Sequence, residues 1–355
     1  MSSVTVAMSG GVDSSVAAWL VQQQYADISG VYMRTWHNDD AVYPIGACPW
    51  RQDAEDARKV ATQLGISFKI VNMIDRYKEF VVDPLLAGYQ NGRTPNPDIL
   101  CNQFIKFDAL QSVLDSGTMI ATGHYARKRA NSDGTVDIVV PEDREKDQTY
   151  FLAYLQQKQI QSAIFPLGDF IKKTEVRHYA RELGLCTAAK KDSQGICFLG
   201  KVKIQHFLSH FIPNKPGDII DNHGKVVGRH QGLHQFTIGQ RHGLGIPSNS
   251  DGNFYVVTGK DLEHNILHVA FESEHKLYGK TYRIHHLSFT NRPLPERATI
   301  ACRPRYRDPD QEILFERIGD DEAVITFKSE QRALAPGQVA AFYESGVLLG
   351  AGTYL

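Results

Sequence analysis

Residues Val4 to Leu20 read VTVAMSGGVDSSVAAWL, and the seven residues from Ser9 to Ser15, SGGVDSS, are too small and too polar for an ordinary core segment. The apolar run before them, Val4 to Met8, is typical of a strand, whereas the apolar residues after them recur at helical spacing. The stretch therefore predicts a strand, a tight polar loop and a helix.

The polar loop has the features of an anion-binding site. Gly10 and Gly11 let the backbone turn sharply and approach a ligand without a Cβ in the way, and Ser14 or Ser15 can cap the following helix. The N–H groups at the start of that helix then face an anion, for which phosphate is the natural candidate. Asp13 stands where a Walker loop has lysine, so it is expected beside a cation such as Mg²⁺ or a polar group of the substrate. The alternative is a plain polar turn.

Composition limits the classes of protein to which the chain can belong. With 355 residues and 42% hydrophobic content it can bury more than one core, because a single core rarely exceeds ~250 to 300 residues. Lysine plus arginine number 39 and aspartate plus glutamate 40, so any RNA contact must come from local patches. No apolar run reaches the ~18 residues of a membrane span and no leader precedes the first strand, which predicts a protein with no membrane partner.

The order of the predicted elements divides the chain into three parts. Up to about Leu185, strand-like runs alternate with helical patterns at 52–64, 77–89 and 104–114, which predicts a doubly wound parallel α/β sheet with ligands at the carboxyl ends of its strands. After about Gly200, β-prone runs such as FYVVTG, NILHVAF, EILFERI and EAVITF alternate with turn residues, as in small antiparallel barrels or sandwiches. The predicted domains are residues 1–200, 201–272 and 273–355.

Two cysteines lie in unusual surroundings. In NGRTPNPDILCNQFIKF, Pro95 and Pro97 stiffen an extended loop ahead of Cys101, and in KKDSQGICFLG two lysines precede Cys197. Nearby cations lower the pKa of a thiol and enrich the nucleophilic thiolate. Two such loops in a chain with an anion-binding loop favour paired thiol chemistry, with one buried structural thiol in each place as the alternative. The five cysteines form no C-x-x-C pair, so no metal site is predicted.

The first loop resembles the SGGxDS signature of the PP-loop ATP-pyrophosphatases, which cleave ATP to AMP and pyrophosphate while adenylating a carbonyl oxygen. Further matches resemble one family within that group, the tRNA-specific 2-thiouridylases, which replace the 2-oxygen of the wobble uridine of certain tRNAs with sulfur. The matching motifs run from one end of the chain to the other: SGGVDSS, GRTPNPDILCN, ATGHYAR, KDQTYFL, DSQGICF, GDI, HQGLHQFTIGQRHGLGI and LAPGQVAAFY. The resemblance implies a PP-loop α/β domain followed by two small mainly-β domains, the last a β-barrel that contacts tRNA.

The same resemblance implies a role for each motif. The residues expected to hold ATP, with Mg²⁺, are Ala7, Met8, Ser9, Gly10, Gly11, Val12, Asp13, Ser14, Met33 and Gly123. The residues expected on tRNA are Asn96, Pro97 and Asp98 around the target base, with His124, Lys146, Asp147, Gln148, Arg305, Tyr306 and Gln338 elsewhere. Cys101 and Cys197 are the expected nucleophile and persulfide-bearing cysteine. Asp98 is the expected acid or base, with a purely structural Asx turn as the alternative.

The implied chemistry accounts for both ATP and the thiols. The C2 carbonyl of uridine is a poor electrophile, and transfer of AMP to its oxygen turns that oxygen into a good leaving group. A persulfide on Cys197 then attacks C2 directly, or Cys101 cleaves it to release hydrosulfide, and either route ends in a disulfide between the two cysteines. The implied partners are tRNA and a persulfide donor, either a cysteine desulfurase or a sulfur-relay protein. A monomer is expected, in the cytoplasm, or in the mitochondrial matrix if a transit peptide was removed.

Local basic clusters are the candidate RNA contacts that the overall charge does not reveal. They are ARKR at 126–129, FIKK at 170–173 and RPRYR at 303–307, where Tyr306 between arginines suits phosphate contact and base stacking. Each cluster alone is also typical of a solvated surface. The stretch WHNDDAVYPIGACPWR at 36–51 departs from the C-T-x-x-D type of sequence common in bacterial family members, and Cys48 within it is given no catalytic role.

Two alternatives to 2-thiolation remain open. One is another PP-loop sulfurtransferase or adenylating tRNA-modifying enzyme, such as a thiamine or 4-thiouridine sulfurtransferase. It is disfavoured because no accessory RNA-binding or rhodanese-like segment precedes the PP-loop. The other is a nucleotide-responsive RNA-binding protein without catalysis.

Overall fold

The computed structural model describes residues 3–36, 50–170, 173–191, 204–246, 253–274 and 277–355. Cys48 and Cys197 lie outside the described residues, as does the whole of the DSQGICF motif at 192–198. Within the described ranges, no helix combines the length and the apolar character that a membrane span requires.

The strand, loop and helix predicted near the N-terminus are present and open a five-stranded parallel sheet. Its strands are β1 (Val4–Ala7), β2 (Ile28–Arg34), β3 (Ser67–Asn72), β4 (Met119–Ala121) and β7 (Ala163–Ile164), in the order β3-β2-β1-β4-β7. Every neighbouring pair is parallel. Strand order reverses direction at β1, and the carboxyl ends of β1 and β4 flank this switch point, where ligands bind in open α/β sheets.

Helices cover both faces of this sheet, as a doubly wound fold requires. Side chains of β2 alternate between the two faces: Val31 belongs to one hydrophobic cluster and Tyr32 to the other. The cluster of Tyr32 includes residues of α1 (Val12–Gln22), α2 (Trp50–Leu64) and α8 (Lys173–Glu182). The cluster of Val31 includes residues of α3 (Ile74–Tyr77), α4 (Asp83–Gln90), α5 (Pro97–Leu100), α6 (Leu110–Ser112), α7 (Gln157–Ser162) and α9 (Ile204–Phe211).

Two predicted helices have different limits in the structure. The helix expected at 77–89 begins at Ile74 and contains a π-helical turn, Lys78–Val82, because Pro84 donates no N–H and interrupts the regular pattern at this point. The helix expected at 104–114 begins at Pro97 instead, since proline is well suited to the first turn. It continues as a π-helical run, Cys101–Ala109, and ends at Ser112. Cys101 is therefore part of a helix and not of an extended loop.

A four-stranded sheet forms the central β unit. Its strands are β8 (Gly217–Ile220), β9 (Val226–His230), β10 (Tyr255–Asp261) and β11 (Ile266–Phe271), in the order β10-β11-β8-β9. Short 3₁₀ turns occur at Leu233–Gln235 and Glu272–Glu274. The small core of the unit is centred on Ile219, Val257 and Leu267.

The C-terminal part is a closed six-stranded barrel. Its strands are β12 (Tyr278–Phe289), β13 (Arg297–Arg303), β14 (Gln311–Arg317), β15 (Glu322–Arg332), β16 (Val339–Glu344) and β17 (Val347–Tyr354), and the pairing of β12 with β17 closes it. The fold class expected from the sequence, a doubly wound α/β domain followed by two mainly-β units and ending in a barrel, is confirmed.

A hairpin of the α/β part joins the barrel sheet, which the sequence analysis did not foresee. Strands β5 (Arg127–Ala130) and β6 (Val136–Val139) pair with each other, and β6 pairs with β17 through Val139 and Val347. The barrel residues Val339, Tyr343 and Leu348 also belong to the hydrophobic cluster of Val31. The α/β domain and the barrel therefore share one core.

Candidate functional site

The loop from Ser9 to Ser14 is held open by hydrogen bonds among its own hydroxyl groups. The backbone N–H of Ser9 donates to Oγ of Ser14 at 3.1 Å, and the N–H of Gly11 donates to Oγ of Ser9 at 3.3 Å. Oγ of Ser14 donates to the carbonyl of Gly11 at 3.1 Å. Ser9 is exposed whereas Ser14 is buried. The result is a small polar cradle at the start of α1, whose first N–H groups suit an anion.

Two glycines allow this loop to fit against its neighbours. A Cβ on Gly10, whose φ is +74°, would lie 2.2 Å from the carbonyl oxygen of Asp53. A Cβ on Gly123, directly after β4, would lie 2.8 Å from the backbone nitrogen of Ser14. The carboxyl ends of β1 and β4 therefore meet at the loop, with room for backbone alone.

Asp13 and Lys190 add charge to the edge of the loop. The half-buried carboxylate of Asp13 accepts a hydrogen bond from the hydroxyl of Tyr125 at 3.0 Å. The ammonium of Lys190 donates to the carbonyl of Gly10 at 2.9 Å and to the carboxylates of Asp53 and Asp56 at 2.7 and 2.6 Å. Burial alone would lower the pKa of Lys190, but these two hydrogen-bonded carboxylates outweigh it and raise the pKa.

Lys190 and Lys191 were expected to lower the pKa of the Cys197 thiol, which lies outside the described residues, so this expectation stays a prediction. The charge of Lys190 is balanced by two carboxylates. The side chain of Lys190 ties the segment that leads toward Cys197 to the PP-loop. The hydroxyl of Thr187 strengthens the tie by donating to Oγ of Ser15 at 3.0 Å.

Cys101 lies at the first position after the short helix α5. Asn96 caps this helix, since its Oδ1 accepts from the N–H groups of Asp98 and Ile99 at 3.1 and 3.3 Å. The cap therefore comes from Asn96 and leaves the carboxylate of Asp98 to other contacts. The side chain of Cys101 is only 2% exposed, as the alternative of a buried thiol predicts, and Cys101 and Ala7 belong to one hydrophobic cluster.

Sequence reasoning missed two polar residues beside Cys101. Asn102 is buried, donates to the carbonyl of Phe151 at 2.9 Å, and accepts from Nζ of Lys106 at 2.8 Å. Burial is the larger of two causes that hold the pKa of His124 well below its usual range, and the charge of Lys106 is the smaller. The imidazole of His124 is therefore neutral. The only sequence signal for Lys106 is its place five residues after Cys101, on a π-helical run of a kind that is frequent at functional sites.

The KDQTYFL and RPRYR motifs come together, although 156 positions separate Asp147 from Arg303. The guanidinium of Arg303 donates to Asp147 at 2.8 Å and to Asp310 at 2.9 Å, and it lies 4.6 Å from the ring centroid of Tyr343. The side chains of Arg303 and Asp147 are only 11% and 5% exposed. The expectation that Arg303 belongs to an exposed basic patch is therefore wrong, because its guanidinium is buried and forms an ion pair with Asp147.

We expect Arg303→Met to lower the free energy of unfolding by about 3 kcal/mol, because it leaves the carboxylate of Asp147 buried without its cation. The matched control is Arg283→Met, which breaks the exposed pair of Arg283 and Glu322 on the same barrel and should cost under about 1 kcal/mol. Urea unfolding of the two variants measures the difference. Equal losses would contradict a structural role for the buried pair.

The chain is similar to proteins of known function along its whole length. The chain is 45% identical over 358 residues to the tRNA-specific 2-thiouridylase MnmA of Akkermansia muciniphila, covering 100% of this chain and 99% of the relative. The chain belongs to the tRNA-specific 2-thiouridylase family. It is also 46% identical to the MnmA of Chromobacterium violaceum, over 98% of this chain and 91% of that one. The resemblance noted from the motifs is thus confirmed.

Three family profiles match successive parts of the chain. They are described as a tRNA methyl transferase HUP domain at residues 2–201, a tRNA methyl transferase PRC-barrel domain at 205–271 and an aminomethyltransferase beta-barrel domain at 279–354. Among solved structures, the U34-tRNA thiolase NcsA from Methanococcus maripaludis is similar, with 21% identity, a TM-score of 0.32, and coverage of 60% of this chain and 69% of that one. This likeness is too remote to support a functional argument.

The remaining residues that the thiouridylase resemblance singled out fall into two groups. Met33 near the end of β2 joins Ala7, Met8 and Gly123 at the carboxyl edge of the sheet. Tyr306 packs on Phe151, with ring centroids 4.3 Å apart, and Gln148 exchanges hydrogen bonds with the backbone of Tyr125. Arg305 donates to Asp308 at 2.8 Å and to the carbonyl of Arg332 at 3.1 Å.

A cavity of about 450 Å³ adjoins this second group at the seam between the central unit and the barrel. Its lining includes Thr237, Gln240, Arg305, Arg332 and Gln338. Two arginines and three glutamines, of which Gln205 is the third, therefore line one cavity. It lies where the thiouridylase resemblance implies tRNA contact, by way of Arg305 and Gln338.

The basic side chains of the ARKR cluster all have hydrogen-bonding or ion-pair partners, although Arg129 is 57% exposed. Lys128 donates to the carbonyls of Gln161 and Ala163, while Arg127 pairs with Glu142 and Arg129 with Asp137. Strand β5 carries residues 127–129 of the cluster and places them beside its hairpin partner β6 and the end of α7. Within the described ranges, no group of three or more His, Cys, Asp or Glu residues is arranged to hold a metal ion.

Proposed function

We propose that this protein converts the wobble uridine of tRNA to 2-thiouridine, with cleavage of ATP to AMP and pyrophosphate. The observation that carries the proposal is that two candidate sites adjoin one hydrophobic cluster. The polar cradle of Ser9–Ser14 at the end of β1 and the capped helix of Asp98 and Cys101 border the same hydrophobic cluster, to which Ala7 contributes. Full-length membership of the thiouridylase family supports the same reaction.

ATP fits the cradle through its phosphates. The N–H groups at the start of α1, with the hydroxyls of Ser9 and Ser14, would hold the pyrophosphate end, and Met33 and Gly123 would border the nucleoside. Asp13 supplies carboxylate oxygens, the ligand type that Mg²⁺ prefers, so it would hold the metal ion that neutralises phosphate charge. The resting hydrogen bond from Tyr125 keeps this carboxylate directed at the loop.

The first chemical step activates the base. The C2 oxygen of the uridine attacks the α-phosphorus of ATP, pyrophosphate leaves, and the oxygen becomes part of a phosphate ester of AMP. Asn96, Pro97 and Asp98 would surround the base, with Asp98 accepting or returning the proton that moves between base and solvent. His124, neutral because of its lowered pKa, would act as a hydrogen-bonding group and not as a cation.

The second step replaces the oxygen with sulfur. Either the outer sulfur of a Cys197 persulfide attacks C2 and the Cys101 thiolate then attacks the Cys197 sulfur, or Cys101 first releases hydrosulfide, which attacks C2. In both routes AMP departs with the former C2 oxygen. The product is one 2-thiouridine and one disulfide between Cys101 and Cys197, which a two-electron thiol reductant must reduce before the next turnover.

The tRNA would lie across the α/β domain and the barrel. Lys146, Gln148, Arg305, Tyr306 and Gln338 would contact it outside the target base, mostly through backbone phosphates. Asp147 is reassigned: its buried carboxylate is bound to Arg303 and Thr149, so it would shape this surface without touching the RNA. An exposed carboxylate at that position would repel phosphate.

Nucleoside analysis tests the proposal against its alternatives. Purified protein is incubated with ATP, Mg²⁺, unmodified tRNA and a persulfide donor, and the digested tRNA is examined by mass spectrometry. The proposal expects 2-thiouridine that requires ATP. Formation of 4-thiouridine would favour another PP-loop sulfurtransferase, and tRNA binding without any thiolated nucleoside would favour a non-catalytic RNA-binding protein.

We expect Arg305→Glu to weaken tRNA binding about tenfold and to reduce the slope of log affinity against log salt by about one, because one phosphate contact is lost. The matched control is Arg283→Glu at the opposite end of β15, where Arg283 pairs with Glu322. Both variants change the net charge equally, so only position separates them. Wild-type affinity and salt slope in Arg305→Glu would remove this end of the barrel from the proposed tRNA surface.

A further inference from the structure

The segment 91–96, which we name the junction loop, is the place where all three parts of the chain meet. It connects α4, which ends at Gln90, to α5, which begins at Pro97. Thr94 precedes Asp98 by four residues and Cys101 by seven. A small displacement of this loop therefore moves the start of the helix that carries both side chains.

The barrel holds the junction loop through backbone atoms. The N–H of Thr94 donates to the carbonyl of Pro336 at 2.7 Å. Gly337 has a φ of +88°, and a Cβ on it would lie 2.9 Å from the nitrogen of Thr94 and 3.0 Å from Cβ of Arg93. The barrel backbone thus presses directly on the loop, one residue before Gln338.

The central β unit holds the same loop from its own side. Oγ1 of Thr94 and Oγ1 of Thr237 are hydrogen bonded at 3.3 Å. Nζ of Lys260 donates to the carbonyl of Gly92 at 3.2 Å, and Leu262 lies 3.5 Å from the place of a Cβ on Gly92. Burial lowers the pKa of Lys260 to about 8, in accord with its enclosed position at this contact.

The α/β domain leaves the loop little freedom of its own. The N–H of Arg93 donates to the carbonyl of Gly88 at 2.9 Å, and Pro95 packs so closely on Gly88 that a Cβ there would lie 2.2 Å from Cγ of Pro95. Asn96 then caps α5. A displacement of Thr94 is therefore transmitted to Asp98, because the proline residues make the segment between them stiff.

From this geometry we infer that Thr94 and Thr237 are positioning residues, through which the seating of tRNA on the central unit and the barrel sets the placement of Asp98 and Cys101. Thr237 lines the cavity that also contains Arg305 and Gln338, so one residue touches both the candidate tRNA seam and the junction loop. The inference rests on the proposed function, because it assigns tRNA to that seam and chemistry to Asp98 and Cys101.

The test compares Thr94→Val, Thr237→Val and the double variant, all of which keep side-chain shape and remove hydroxyl groups. Single-turnover thiolation at saturating tRNA is measured beside the tRNA dissociation constant. Each single variant should slow thiolation about fivefold, the loss expected for one hydrogen bond, with the dissociation constant within about twofold of wild type. The double variant should be no slower than either single variant, because both remove the same interaction. Thr94→Ser, which keeps the hydroxyl, should retain the wild-type rate.

A second pair of variants acts on the backbone contact. Gly337→Ala should slow thiolation at least tenfold, because the added Cβ displaces the junction loop. Gly224→Ala is the matched control: Gly224 also has a positive φ, of +80°, but nothing lies within 4 Å of an added Cβ. Both variants carry similar backbone strain, and Gly337→Ala adds the close contact with Thr94, so Gly337→Ala should lower the unfolding temperature at least as much as Gly224→Ala. Assayed at a temperature at which both variants are folded, only Gly337→Ala should lose turnover.

The outcomes separate the inference from the function beneath it. Absence of thiolation by the wild-type protein overturns the proposed function and this inference together. Wild-type thiolation with unchanged rates in Thr94→Val and Gly337→Ala overturns the inference alone. A loss of tRNA affinity that fully accounts for the slower variants would also overturn it, since the residues would then be part of the binding surface.

Discussion

Cys197→Ser should accept no labelled sulfur from a persulfide donor, yet should still adenylate tRNA and release pyrophosphate, because activation of the base precedes sulfur transfer. Cys101→Ser should load sulfur on Cys197 but fail to resolve it, so that label accumulates on the protein and not on tRNA. Formation of 2-thiouridine should fall by at least about 10³-fold in both variants, as for other enzymes that lose a covalent nucleophile.

The matched control for this pair is Cys186→Ser. Cys186 is an exposed residue, but partial burial of its thiol and the nearby carboxylate of Asp56 raise the pKa of that thiol. A raised pKa disfavours the nucleophilic thiolate, so Cys186 should be dispensable. Labelled persulfide is followed by mass spectrometry of the digested protein and tRNA. Full thiolation by Cys101→Ser would remove the paired-cysteine mechanism, whatever the family relationship.

The burial of Cys101 adds a condition to this mechanism. A disulfide requires the two Cα atoms to come within about 7 Å, and the Cys101 side chain is 2% exposed. Turnover without reductant should therefore leave a disulfide between Cys101 and Cys197, whereas incubation of the resting protein with oxidant alone should leave far less of it. Peptide mapping distinguishes the two.

Asp13→Ala should suppress pyrophosphate release on the order of 10²-fold or more, because the cradle loses its only carboxylate within the loop. This carboxylate accepts from Tyr125 and is the group that we propose to hold Mg²⁺. Ser9→Ala should act in the same direction, since Oγ of Ser9 accepts from Gly11 and orders the loop. Both are loop positions with little buried apolar area, so the free energy of unfolding should change by under about 1 kcal/mol.

Asp27→Ala serves as the control for the loop variants. Asp27 is an exposed carboxylate directly before β2, at the opposite edge of the same sheet. Pyrophosphate release is measured with tRNA present at saturation. Release at the wild-type rate from Asp13→Ala would refute the assignment of the loop as the ATP site.

Local patterns in the sequence were sufficient to predict the first strand, loop and helix, two strands of the central unit and two of the six barrel strands. The strand, loop and helix around SGGVDSS are encoded by residues that are neighbours in the chain, and Gly10 adopts the positive φ that glycine favours. The β-prone runs after residue 253 became β10, β11, β14 and β15 for the same reason. Interactions between residues that are close together in the sequence determine these elements.

The contacts that no local pattern reveals are those between distant parts of the chain. Arg303, which the sequence placed in a basic patch, forms a buried ion pair with Asp147. The ARKR strand, β5, lies at the edge of the barrel sheet because its hairpin partner β6 pairs with β17. The junction loop is a third case, because its proline residues indicate stiffness but not the partners Pro336 and Thr237. Each depends on tertiary packing, which a one-dimensional pattern does not contain.

Adenylation of the base requires that the C2 oxygen of the target uridine leave the tRNA as part of AMP. To follow this oxygen, tRNA that carries oxygen-18 at C2 of the wobble uridine is incubated with the protein, ATP, Mg²⁺ and a persulfide donor in unlabelled water. We expect one oxygen-18 in the phosphate of AMP for each 2-thiouridine formed, with none in pyrophosphate. Thiolated tRNA accompanied by unlabelled AMP would contradict adenylation of the base and the mechanism built on it.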